Sequence, residues 1–555
     1  MKRACSALSF AMPIVAVGAE LRQKYASGWR PTGDDAIFAI HAHDVFTAKF
    51  PLLGTYSVVT QSAGQPVPPV YHLGPLVSWV LSIPERVFSE RLGIAIGAGF
   101  VNLAMMLAVV VIVRRIASVR VSALVSGAMA LTAWSVGRNT LAEPWNPYIG
   151  LWTLPLLVAL GVAWAIRADT RSTLPAMVFV ASFAVQAHYL LLGPVVAVVA
   201  ASMLARGAPP TRRSAVLGAS IALACWLPAI VQQIVGSQGN LSAWLTATRA
   251  STQNTAPFFS YSLRFVVNTV GIVPVTFRGP LNAGQLIGLG AAPSLLAWLV
   301  NAVVLGLLVV GAASVWRTRR IVSVFAMIAL ALLAGTAFTL SRYPVPLVSF
   351  PYYRIVMCWI ASSVAWGAAI ACAVSMLSKR ASPRWKAFVV RVSLRQSDRF
   401  VLFPMLVVVA LIITVAHSAD EPVDELGARA TQRLASETLR NLPRKGDYVV
   451  RGDGVRGVFA VYGVFREMLL DGRRVYVSND EVQLRDHYGV GERAAMEIVV
   501  ASGSLAAPKG ARVLATYDGR TDSERQRFAA LPSNDASGER FELEQAQFVV
   551  YLVAT

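Results

Sequence analysis

A chain of 555 residues that is 55% hydrophobic and only 14% charged, with a mean hydropathy of +0.56, has too little polar surface for a soluble globular protein. Its apolar residues come in continuous runs of membrane-spanning length rather than in alternation, which predicts a polytopic α-helical membrane protein and argues against a β-barrel. The net charge of +20 comes mostly from basic residues flanking those runs, where they orient helices, so no nucleic-acid partner is expected.

Taken in order, about eleven spans are expected, near 4–20, 93–113, 121–137, 150–166, 174–187, 189–204, 214–235, 295–315, 321–340, 354–377 and 400–417. The first run, "MKRACSALSFAMPIVAVGA", shares a basic start, a short apolar core and small terminal residues with cleaved signal peptides. It is read as a retained first span. Arg114, Arg115, Arg120, Arg167, Arg171, Arg206, Arg212, Arg213, Arg317, Arg319, Arg320 and a basic 379–399 loop all fall on one side. By the positive-inside rule that side is cytoplasmic, together with the N-terminus. In a bacterial inner membrane this leaves three long segments outside, at about 21–92, 236–294 and 418–555.

The expected domains are therefore a transmembrane domain, 1–417, with extracytoplasmic loops 21–92 and 236–294, and an extracytoplasmic C-terminal domain, 418–555. The C-terminal segment holds 21 of the 30 acidic residues, a composition that marks a soluble domain. Within it, "GDYVV" and "RRVYVSND" read as strands and "RGVFAVYGVFREMLLDG" as the helix between them, giving an α/β domain. Gly452, Gly454 and Gly457 form a G-x-G-x-x-G at that turn, and Asp480 ends the next strand. This is a local dinucleotide fingerprint. Its placement outside the membrane favours a plain βαβ turn. Cys5, Cys225, Cys358 and Cys372 lie in apolar runs without metal-ligand spacing and read as packing residues.

Nine acids remain before 418: Glu20, Asp34, Asp35, Asp44, Glu85, Glu90, Glu143, Asp169 and Asp398. Six fall between the first two spans, and carboxylates concentrated beside a bilayer are a site hypothesis by default. Local structure explains several. Glu20 marks the end of the first span. Glu85 and Glu90, beside Arg86 and Arg91, suit a solvated or salt-bridged interfacial helix. One of Asp34 and Asp35 can cap the helix that follows "PTG". Capping does not require two adjacent aspartates plus Asp44. His41 and His43, two apart, point to different faces of a helix. No metal ligands are assigned, and a divalent cation held by this loop stays open as the only cofactor.

The acidic pair, "YHLGPLVSWVL" (71–81), "AEPWNPYIGLW" (142–152) and "QAHYLLL" (186–192) occur in this order. Together they resemble the GT-C membrane glycosyltransferases, in the branch of protein O-mannosyltransferases and lipid A aminoarabinose transferases. The match covers roughly residues 1–200. Asp35 stands where that branch usually has Glu, and Leu-Gly replaces part of its Pro-Pro. The resemblance implies a glycosyltransferase, inverting in outcome, that takes a sugar from a polyprenyl-phosphate donor. The acceptor would be a glycan, lipid or protein on the extracytoplasmic side. It implies Asp34 as general base, Asp35 as the group that orients the acceptor or fills in as base, and His72, Glu143, Asn146 and His188 as substrate contacts, His188 being equally well explained as a satisfied buried histidine; Asp44 is added as a neighbouring candidate contact. The leaving phosphate needs cationic donors, for which Arg264, Arg278, Arg342 and Arg354 are placed outside. Arg342 and Arg354 flank "YPVPLVSFPYY" and are preferred. Trp29, Trp145 and Tyr148 suit either sugar faces or an interfacial aromatic belt. Two other classes compete: a flippase or transporter of lipid-linked sugars, and a non-catalytic membrane scaffold. The spans hold no deep acid and the chain has no related halves, which disfavours the transporter.

Overall fold

The computed structural model describes residues 2–57, 67–88, 91–137, 140–167, 171–236, 239–251, 262–279, 288–342, 355–380, 425–478, 481, 483–490, 496–503, 505–532, 535 and 538–553. They form two compact units. One is built from Met1–Glu20, Leu52–Val77 and Ala98–Ser418. The other joins Leu21–Pro51 and Ser78–Gly97 to Ala419–Thr555.

The first unit is helical. Among the described residues nine helices are long and apolar enough to cross a membrane: Cys5–Ala26, Gly93–Ile116, Val119–Val136, Asn146–Ala165, Tyr189–Arg206, Arg212–Val235, Leu295–Val315, Arg320–Ser341 and Met357–Lys379. Thr173–Ala187 is a shorter apolar helix. These ten correspond to ten of the expected spans, and 400–417 lies outside the described residues. Leu223, Leu227, Ile230 and Ile234 form an exposed stripe three to four residues apart on Arg212–Val235, the face expected of a helix whose solvent is lipid. Small residues permit close crossings. A Cβ on Gly193 would meet Thr339 Oγ1 at 2.2 Å and the Gly335 carbonyl at 2.8 Å, so the Leu192–Arg206 and Arg320–Ser341 helices touch nearly backbone to backbone.

One boundary differs from expectation. The first helix runs from Lys2 to Ala26, past the charged residues that suggested its end. Glu20 does not terminate it: its Oε2 accepts from the amides of Leu141 at 2.8 Å and Ala142 at 2.9 Å. Lys24 is fully buried, with its ammonium 4.1 Å from the Trp29 ring centroid. Trp29, 3% exposed, is thereby a packing residue.

The second unit carries a five-stranded sheet of order β2-β1-β3-β5-β4, from β1 (Asp447–Asp453), β2 (Arg474–Val477), β3 (Met496–Ser502), β4 (Arg512–Asp518) and β5 (Gln547–Val553). β1 pairs in parallel with β2 and β3; β5 is antiparallel to β3 and β4. The Gly457–Leu470 helix makes the crossover from β1 to β2, as the strand–helix–strand pattern predicts. Ala36, Ile37 and Ile40 complete its core with Leu434, Val461, Phe465 and Tyr488. The loop that precedes the crossover helix is closed by the protein itself. The Arg456 and Gly457 amides donate to Ser502 Oγ at 3.0 Å, Val455 N to Gln545 Oε1 and Gly452 N to Glu481 Oε1. Amides that could cradle a phosphate are already engaged, in keeping with a plain turn. Asp480 lies outside the described residues.

Candidate functional site

In the first unit three of the sequence motifs meet around His72. Residues 70–72 run as a short extended segment against 54–57: Ser57 N donates to the Val70 carbonyl, His72 N to the Thr55 carbonyl and Gly54 N to the His72 carbonyl, at 2.7–3.0 Å. The His72 ring is buried, and its Nε2 lies 2.7 Å from Asn146 Nδ2. A carboxamide nitrogen can only donate, so Nε2 accepts and the ring proton sits on Nδ1. Nδ1 has no hydrogen-bond partner among the described residues. Burial lowers the His72 pKa to about 4, leaving the ring neutral at physiological pH.

His188 packs 5.1 Å from His72, centroid to centroid, and stacks on Tyr189 at 4.9 Å. It ends the Thr173–Ala187 helix, and its Nδ1 accepts from Leu190 N at 3.2 Å. Gln186, two residues earlier, receives Leu76 N on Oε1 at 3.3 Å and donates to the Cys225 carbonyl at 2.8 Å. A Cβ on Gly74 would lie 2.2 Å from Gln186 Oε1. Glycine at this motif position is therefore a packing requirement of the Gln186 contact. Nearby, Leu73, Val185, Leu192, Trp226 and Trp244 help line an apolar cavity of about 460 Å³.

The structure thus gathers His72, Asn146 and His188. Glu143 lies half-buried three residues before Asn146. Arg342 is exposed, with its guanidinium 5.3 Å from the Phe338 ring. Arg278 is spent on the Val273 and Asn268 carbonyls. Arg354, Tyr343, Tyr352 and Tyr353 lie outside the described residues.

In the second unit Asp34 and Asp35 occupy the first turn of the Gly33–Asp44 helix, both half-buried. Thr32 holds the N-cap position without a side-chain cap bond, so the acids meet the positive end of the helix directly. Asp34 is near Tyr462, whose hydroxyl donates to Glu481 Oε2 at 2.8 Å. Burial, Glu481 and Asp34 together push the Tyr462 pKa up. Asp44 sits at the other end of the helix, 2% exposed, and accepts the Tyr488 hydroxyl at 2.7 Å. Burial raises its carboxyl to about 6 against the pull of Tyr488, Lys49 and Arg86. His41 is also buried, both ring nitrogens lack a partner among the described residues, and burial beside His487 lowers it to about 3. Of the solvated and salt-bridged alternatives, Glu85 takes the second: it forms a buried ion pair with Arg466. Glu90 lies outside the described residues. Among the described residues no group of three His, Cys, Asp or Glu side chains could hold a metal ion.

No protein-family model and no curated protein matches the chain. Solved structures do. ArnT from Cupriavidus metallidurans bound to undecaprenyl phosphate superposes with a TM-score of 0.53 at 15% identity, over 98% of this chain and 97% of that one. The apo state of ArnT gives 0.52 at 14% identity, over 97% of each chain. The chain shares the fold of ArnT. Within that fold the polytopic helical part and the C-terminal α/β part expected from the sequence are both present. The Archaeoglobus fulgidus oligosaccharyltransferase in the apo form aligns at a TM-score of only 0.29 and 12% identity, over 89% of this chain and 69% of that one.

Sequence reading missed Tyr488, Arg466 and Asn240, which hold the candidate residues in place. Tyr488 and Arg466 pair with acids 444 and 381 residues away, and Asn240 belongs to no motif, so no local signal identifies them.

Proposed function

We propose that this protein is a membrane glycosyltransferase that transfers a sugar from a polyprenyl-phosphate carrier to an acceptor hydroxyl or amine on the extracytoplasmic face of a bacterial inner membrane. The observation that carries the reading is the convergence of His72, Asn146 and His188 from three separate motifs. A fold shared along nearly the whole chain with a protein bound to undecaprenyl phosphate supports it, since fold alone would not specify the activity. The apolar cavity beside Leu73 suits part of an isoprenoid chain, which explains why the catalyst is embedded in a membrane.

Asp34 is the general base and Asp35 orients the acceptor. As the acceptor oxygen or nitrogen attacks the anomeric carbon, its proton passes to Asp34 and the carbon–oxygen bond to the carrier phosphate breaks. The attack is a single displacement, so the anomeric configuration inverts. The released phosphate keeps the bonding electrons, and Arg342 and Arg354 are the cations assigned to it. His72 contributes a neutral hydrogen-bond donor to the donor head group, consistent with its lowered pKa. Asn146, His188 and Glu143 are the further substrate contacts in this reading. Asp44, closed onto Tyr488, supports the acid helix rather than the substrate.

The test is a transfer assay with polyprenyl-phosphate sugars on Asp34→Asn and Asp35→Asn proteins. Loss of a general base lowers turnover by roughly 100-fold or more, and Asp34→Asn should show that loss. Turnover retained in both variants would remove the mechanism.

A further inference from the structure

We infer that Asn240 is a positioning residue for His72, an assignment that rests on the reading of His72 as a donor contact. The inference follows from the backbone of the segment that carries His72. In an extended chain successive residues turn their N–H and C=O groups to opposite sides. On one side the Val70 carbonyl and the amide and carbonyl of His72 are met by residues 54–57. The two backbone groups of Tyr71 face the other side. Both are met by one side chain: Asn240 Oδ1 accepts from Tyr71 N at 2.9 Å, and Asn240 Nδ2 donates to the Tyr71 carbonyl at 3.0 Å. The carboxamide acts as a one-residue strand. All the groups are buried, Tyr71 at 8% exposure and Asn240 at 4%, so neither amide nor carbonyl can fall back on water without cost.

Asn240 is itself fixed at the head of the Asn240–Ser251 helix, where its amide donates to Gln232 Oε1 at 3.0 Å. Gln186 holds the far end of the segment through Leu76 N, and Asn146 holds the ring. Three carboxamides from three helices therefore determine where His72 Nδ1 points. Like Gln186, Asn240 bonds through its carboxamide only to backbone. Its effect on a ligand must pass through the geometry of His72.

The test uses the full chain in detergent micelles with isotope-labelled histidine, the His72 resonance being identified by its loss in His72→Gln. Undecaprenyl phosphate is the binding probe. In Asn240→Ala the His72 signal should leave the Nδ1–H tautomer, and its pKa should move back toward the ordinary histidine value. Probe affinity should fall about ten-fold, the size expected for one or two buried hydrogen bonds. The Asn240→Ala/His72→Gln double variant should bind no more weakly than His72→Gln alone. Asn240→Asp keeps the acceptor for Tyr71 N and loses the donor. It should give an intermediate shift, and it keeps the test open if the alanine variant does not fold. An unchanged His72 signal, or losses that multiply in the double variant, would overturn the assignment. If the wild-type chain does not bind the probe, the reading of His72 as a donor contact fails, while the His72 signal still decides whether Asn240 positions it.

Discussion

The Tyr71–Leu76 segment and the Gly33–Asp44 helix come from the same stretch between the first two spans, yet they are held by opposite means. The first is pinned by point contacts, each a carboxamide meeting a named backbone or ring atom. The second is held by volume, with Ala36, Ile37 and Ile40 in an apolar core and charged groups buried around it. Hydrogen bonds fix direction and are individually modest. Apolar burial fixes depth and leaves any enclosed charge at risk. The histidine segment should therefore respond to changes of one or two atoms in ligand geometry. The acid helix should respond in stability and in pH dependence.

The buried ion pair gives the largest test of that contrast. Arg466→Met leaves Glu85 enclosed without its partner and should cost roughly 3–5 kcal/mol, read as a lowered midpoint in detergent-solubilised unfolding. Adding Glu85→Gln should recover most of the loss. A single variant within about 1 kcal/mol of wild type would mean that the pair carries no stability.

Next in size is a pH effect at the other end of the acid helix. Asp44 has a folded-state pKa of about 6 against an ordinary 3.8, so the folded protein holds that proton more tightly. Its stabilising contribution is present below about pH 4 and is lost as pH rises through 6. His41, lowered to about 3 from 6.5, works the other way: its contribution is present above 6.5 and lost as pH falls toward 3. Asp44→Asn should keep the Tyr488 contact while removing the first slope. The variant should match wild type near pH 4 and exceed it at pH 7 by roughly 2 kcal/mol. Equal stability of the two proteins across that range would show that Asp44 does not titrate on folding.

The smallest effect expected is at Lys49, whose ammonium lies 3.1 Å from the centroid of the Tyr488 ring. Lys49→Gln should cost about 0.5–1 kcal/mol and leave the Asp44 pH response in place.

Much of this arrangement was legible. Continuous apolar runs announce membrane helices because the bilayer fixes their length, and ten of the expected spans have a helical counterpart. His72, Asn146 and His188 could be named together because their motifs occur in order. The errors lay where a charge is satisfied at long range. Glu20 looked like a stop because a carboxylate in a span normally is one; here Leu141 and Ala142 supply its hydrogen bonds. For Glu85 the sequence allows a solvated or salt-bridged position and suggests Arg86 as the neighbour. Arg86 instead donates to the His43 carbonyl, and Glu85 turns to Arg466. Periodicity reports which face of an element is buried, not which distant side chain meets it.

The composition of the second unit also constrains how the protein is made. Leu21–Pro51 and Ser78–Gly97 leave the ribosome early, but the sheet and helices they pack with begin only at Ala419. At about 5–20 residues per second, the interval is roughly twenty seconds to a minute. Throughout it Ile37 and Ile40 have no core to enter, and Asp44 has no Tyr488. A nascent chain at this stage should present an unfilled apolar helix face, the kind of surface that chaperones exist to cover. Premature stop codons in the last quarter of the gene would consequently damage the acid helix near the start of the protein.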